Sequence, residues 1–203
     1  MGAVRVNGST SGYVELAAPA VAGSVVMTLP ATTGTLATTA DTAAAGGMVL
    51  ITSQAFTAST AINHNNTFSA TYDYYRIMFT GVASSGPSIR LRVGGVNSAT
   101  ANHYNWAGRY EGTTASAFNS STATEWQLYP GGYGYSHFVL DVLNPFLAEP
   151  SSVMAQGILF NAGGTQYAWW MNGLHQLSTS YDGFSLLWTS VTTGKISVYG
   201  YRK

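Results

Sequence analysis

Ser88-Ile89-Arg90-Leu91-Arg92-Val93 alternates polar and apolar residues without a break. The period of two predicts a strand with Ile89, Leu91 and Val93 facing a core and Ser88, Arg90 and Arg92 facing water. Similar runs fill the chain from Met48 onward, separated by clusters of Gly, Pro, Asn and Ser. They fall at Met48–Ile51, Asp73–Thr80, Tyr104–Glu111, Thr124–Tyr129, Ser136–Leu143, Val153–Phe160, Gln166–Asn172, Phe184–Val191 and Lys195–Tyr201. Ala83-Ser84-Ser85-Gly86-Pro87 has the composition of a turn, which predicts a hairpin between Asp73–Thr80 and Ser88–Val93. In Ser136–Asp141 the alternation sets Ser136, Phe138 and Leu140 against His137, Val139 and Asp141. Trp169 and Trp170 are adjacent, so in a strand they face opposite sides: one joins the core, and the other is covered by a neighbouring subunit or left as an exposed patch. No long stretch repeats apolar residues at helical spacing. About ten short strands with turn signals predict an all-β fold, a jelly-roll-like antiparallel β-sandwich over residues 48–203.

The first 47 residues follow a different rule. They contain no Phe, no Trp and one Tyr, Tyr13. Gly12, Gly23 and Gly34 are eleven residues apart, as are Pro19 and Pro30, and Leu16 and Met27 occupy equivalent places. Each unit reads as glycine, a short strand, proline and small residues, because proline ends a ladder and glycine permits a turn. One such strand cannot bury a face by itself. The spacing therefore predicts a repetitive β-stalk over residues 1–37, intertwined with other copies of the chain through Val14, Leu16, Val25, Met27, Leu29 and Leu36. Residues 38–47, ending in Gly46-Gly47, read as a linker.

Composition narrows the function classes. Charged residues are 8% of the chain, against about 25% in a typical domain, and the net charge is zero. Clustered cations are missing apart from Arg90 with Arg92 and Arg202 with Lys203, so nucleic acid is not an expected partner. An uncharged surface favours association. There is no cysteine, no run of membrane-spanning length and no signal-peptide pattern at the N-terminus, so no membrane insertion is expected.

The candidate chemistry is thin. Glu111 and Glu125 are the one carboxylate pair placed for glycosidase work, on strands expected to be adjacent. His137 and Asp141 outline two-thirds of a triad without a nucleophile motif. The four histidines lack metal-ligand spacing, and no metal or cofactor is expected. Aromatics in predicted loops are the stronger signal. Tyr104 and Trp106, and Tyr129, Tyr133 and Tyr135, stand among Asn and Gly, a mixture suited to sugar faces or adaptable protein contacts.

The segment Ser9-Thr10-Ser11-Gly12-Tyr13-Val14-Glu15-Leu16, with Pro19, Gly23-Ser24, Leu29-Pro30 and Gly34-Thr35-Leu36, resembles a stretch common in tail-fibre and other virion proteins of tailed bacteriophages. Tyr72–Val82, Leu91–Gly95 and Gly194–Gly200 resemble strands of the C-terminal domains that follow it there. The resemblance implies a homotrimeric protein of the virion exterior that joins other tail or capsid proteins through its N-terminal segment. It is expected to be non-enzymatic, a short fibre whose head contacts a host-surface glycan. A capsid decoration (cement) protein is the alternative, and a polysaccharide-degrading tail protein a third.

Overall fold

In a computed structural model the chain is all-β, and its sheets are antiparallel. Residues 3–7, 9–17, 47–83, 85–129, 134–161 and 163–202 are described, and there is no helix among them. The chain divides into two units, Met1–Ala43 and Ala44–Lys203, a boundary that falls within residues 38–47.

In the first unit β1 (Ala3–Asn7) and β2 (Tyr13–Ala17) form a hairpin, with Arg5 opposite Glu15. Gly12 enters β2 at φ +75°, a conformation that favours glycine. The Arg5 side chain bonds Glu15 and lies over the Tyr13 ring, 4.5 Å from its centroid. Val14 and Leu16 stand on β2, while Val25, Met27, Leu29 and Leu36 lie outside the described residues.

The second unit is one curled sheet that folds into a sandwich-like core. Its strands are β3 (Met48–His64), β4 (Tyr72–Ala83), β5 (Ser88–Val93), β6 (Val96–Asn97), β7 (Tyr104–Glu111), β8 (Ser116–Ala123) and β9 (Trp126–Gln127). They are followed by β10 (Gly134–Leu143), β11 (Ser151–Phe160), β12 (Gln166–His175) and β13 (Gly183–Arg202). Eight strands lie side by side in the order β3-β13-β4-β10-β11-β12-β7-β8. The two runs expected at Phe184–Val191 and Lys195–Tyr201 are one strand, β13. Its register slips against β3 between Leu187 and Gly194, where irregularities bend the pair.

The expected hairpin between β4 and β5 does not form. Both strands pair with β13, end to end along the same edge: β5 with Gly183–Leu187 and β4 with Thr193–Arg202. β4 and β5 are therefore two successive stretches on one partner, not the arms of a hairpin. Turn composition reports a break in the ladder, but only the long-range partner decides which kind. β5 carries β6 and β9, and Trp126 of β9 packs on Tyr104 of β7 and Gly173 of β12 in the main sheet.

Alternation holds along the central strands. Tyr75, Ile77 and Phe79 on β4, Phe138, Leu140 and Val142 on β10, and Trp169 and Met171 on β12 are buried. Phe184, Leu186, Ile89, Leu91, Trp126 and Leu128 cover them from the folded-over part. Two glycines make room for the largest rings. Trp169 lies opposite Gly157, where an added Cβ would stand 2.7 Å from the indole. Trp126 lies over Gly173 in the same way, at 2.6 Å, with the Asn105 carbonyl 3.0 Å off. Because Trp126 is fully buried and cannot swing away, Gly173→Ala is expected to cost about 1–3 kcal/mol, read as a lower denaturant midpoint at unchanged slope.

Strand β5 departs from its expected pattern. Arg92 is buried and Val93 is 45% exposed. The Arg92 guanidinium points into a cage of neutral oxygens. Its Nε donates to Asn65 Oδ1 at 2.8 Å, and Nη1 donates to Asn63 Oδ1, Asn97 Oδ1 and Ser185 Oγ at 3.1, 2.7 and 2.8 Å. Nη2 donates to the Gly95 carbonyl. A fork of five donors needs this many acceptors to leave water.

His175 is fully buried, with the rings of Tyr104 at 4.3 Å, Tyr181 at 5.1 Å and His103 at 6.0 Å. Burial, with a smaller contribution from His103, holds its pKa down at about 4. Burial lowers His64 as well. A histidine that protonates less readily folded than unfolded makes the unfolded chain take up the proton first. Stability is therefore expected to fall as pH drops from 6.5 toward 4, by on the order of 3 kcal/mol for His175. Urea titrations at stepped pH test this, and His175→Gln should flatten most of the slope in that window.

Candidate functional site

Among the described residues, the loop aromatics singled out in the sequence do not gather into one site. Tyr104 is on β7, fully buried, and edge-on to Trp126 at 5.2 Å. Its hydroxyl donates to the Ser98 carbonyl at 2.8 Å and accepts from the Leu91 amide at 2.9 Å, and burial raises its pKa. Tyr129 is buried beside Trp169 and Tyr167, with its pKa raised to about 12 mainly by that burial. Neither ring is free to receive a ligand. Trp106 is half-buried on β7, packs on Phe118 and donates Nε1–H to the Glu125 carbonyl. Tyr135 is 64% exposed on β10. Tyr133 lies outside the described residues. The Asn-rich neighbourhood of Tyr104 and Trp106 belongs to the start of β7, where Tyr104 is buried and Trp106 half-buried.

The carboxylates considered for catalysis each meet a cation. Glu111 pairs with Arg109 at 3.2 Å, and Glu125 pairs with Arg90 at 2.9 Å, each carboxylate engaged by its own cation. Asp141 receives both Arg76 Nε and Nη2, at 2.8 and 2.7 Å, while His137 Nδ1 bonds the Thr80 hydroxyl. His137 and Asp141 are therefore committed to different partners. Among the described residues no three His, Asp or Glu side chains group as metal ligands.

The feature the structure adds is on the outward face of β13, β4, β10, β11 and β12. Register lines up Ser197, Met78, Val139, Gln156 and Trp170 in one row across these strands. The next row is Lys195, Thr80, His137, Ile158 and Ala168. An open groove of about 650 Å³ runs along these two rows, with Tyr199 beside it. Trp170 is 42% exposed, and Met78 and Ile158 are exposed nearby. Trp169 is the core member of the pair, so the two tryptophans do divide between faces.

An indole face, aliphatic side chains and a few amide, imidazole, hydroxyl and ammonium groups make a surface that can hold a ligand with alternating apolar and polar patches. Sequence alternation indicated that one tryptophan faces outward. It could not bring that ring together with His137 and Lys195, which stand on strands far apart in the chain. No protein-family model, curated protein or solved structure matches the chain.

Proposed function

We propose that the chain is a non-enzymatic structural protein of a bacteriophage particle, a trimeric short fibre whose head contacts a host-surface glycan through this outer-face groove. The observation that carries the binding role is the exposed indole of Trp170 in a groove with hydrogen-bonding side chains on either side. Sugar rings present C–H faces to such an indole and hydroxyls to the groups around it. The phage assignment rests on the residues of the N-terminal segment and of β4, and the trimer on the eleven-residue period. Three linked heads would turn weak single contacts into useful avidity. The non-enzymatic reading draws on the paired state of Glu111, Glu125 and Asp141.

Purified full-length chain on an array of host-surface oligosaccharides tests the binding role. Retained glycan that disappears with Trp170→Ala is the expected result. An array on which no saccharide is retained would overturn it.

One feature favours the second reading, a capsid decoration protein. Among the described residues, strand β3 pairs with β13 alone; it carries no Lys, Arg, Asp, Glu or Pro along its 17 residues, and Met48 and Leu50 are about half exposed. Edge strands usually carry such guards against strand addition, so this one is suited to pairing with another particle protein. Cryo-electron microscopy of the particle separates the two, since density on the shell would exclude the fibre.

A further inference from the structure

Charges in this chain are few, and the described ones are almost all spoken for. Arg5, Arg76, Arg90 and Arg109 each pair with a carboxylate. Arg92 is buried in its cage of neutral oxygens. Lys195 is exposed and, among the described residues, has no ion pair or hydrogen bond from its side chain. Its cross-strand neighbours, Ala55 and Thr80, are uncharged. It stands in the groove, and no carboxylate lines that groove. His137 is on the same row, two strands from Lys195 beyond Thr80, its Nδ1 taken by Thr80 and its Nε2 left open. Gln156 is exposed in the adjoining row.

We propose that the groove takes an acidic oligosaccharide, with a carboxylate held at Lys195 and a sugar ring stacked on Trp170. This rests on the glycan-binding reading and adds the charge and size of the ligand. Size follows from the register. Lys195 on β13 and Trp170 on β12 are four strand spacings apart, roughly 19 Å across the sheet, so one sugar does not reach both. Charge follows from the imbalance of the lining, a cation with no anion beside it. An ammonium is a compact point charge that accepts a carboxylate from several directions, which suits a ligand fixed mainly by its stacked ring.

The test is a titration of the full chain with short uronic-acid and sialic-acid oligosaccharides and with the same compounds after reduction of their carboxyl groups to alcohols. The acidic forms are expected to bind, the reduced forms about ten-fold or more weakly, and Lys195→Gln should erase the difference. Added salt should weaken binding to the wild type and leave Lys195→Gln nearly unaffected. If acidic and reduced forms bind alike, and Trp170→Ala abolishes both, the charge assignment is wrong while the glycan reading stands. If neither form binds, and no saccharide is retained on the array, both fall together.

Discussion

Arg92→Met is expected to lower the free energy of unfolding by about 3 kcal/mol, well above the roughly 1 kcal/mol of an average substitution. Methionine fills much of the same volume, so the loss isolates the polar network. The guanidinium joins three parts of the fold: Asn63 of β3 and Asn65 just beyond it, Gly95 and Asn97 around β6, and Ser185 of β13. Without it the fully buried Ser185 and the half-buried Asn97 keep the bond between them but lose a charged donor, at about 1.5–3 kcal/mol for each such bond. Asn63 and Asn65 are exposed and recover bonds to water, which limits the total. Arg92→Lys should recover part of the loss, since an ammonium has three donors and cannot span the cage. Urea unfolding measures both variants. A change under 1 kcal/mol for Arg92→Met would mean the cage contributes little.

The second large effect separates neighbours in sequence. Trp169→Ala is expected to cost about 3–5 kcal/mol, because it opens a cavity between Gly157, Tyr129 and Phe138. Trp170→Ala, one residue on, should change stability by less than about 1 kcal/mol, since it lies on the outer face, 42% exposed and outside the core, yet abolish glycan binding. Thermal unfolding and array binding on the same two proteins read the contrast. Equal destabilisation by both would mean that Trp170 is a packing residue after all.

The central strands were legible because each of β4, β10, β11 and β12 alternates cleanly and packs one face on the core. β7 matches its expected span, Tyr104–Glu111. β8 was not, since Ser116-Ala117-Phe118-Asn119-Ser120-Ser121-Thr122-Ala123 has one large apolar residue and sits at the sheet edge, where little burial is required. β3 was read only to Ile51, because the rest of it is largely small or polar and, among the described residues, its outer edge has no partner strand. Arg92 misled for another reason. Alternation assumes that a charged residue seeks water, and here Asn63 and Asn65 at the end of β3 and Asn97 of β6 replace that water. The groove was illegible for the same cause as the β4–β5 step: both depend on which strands pair, and that information is spread from Met78 to Tyr199. One of its residues, an outward tryptophan from the 169–170 pair, was foreseeable from period two alone.

The most direct measurement of the binding claim uses the six methionines as reporters. Met78 lies in the groove, while Met171 is buried in the core. With methionine methyl groups labelled with carbon-13, adding the oligosaccharide that the array selects should shift and broaden the Met78 signal and leave Met171 in place. A ligand that binds while Met78 stays unmoved would place the site elsewhere and contradict the assignment of the groove.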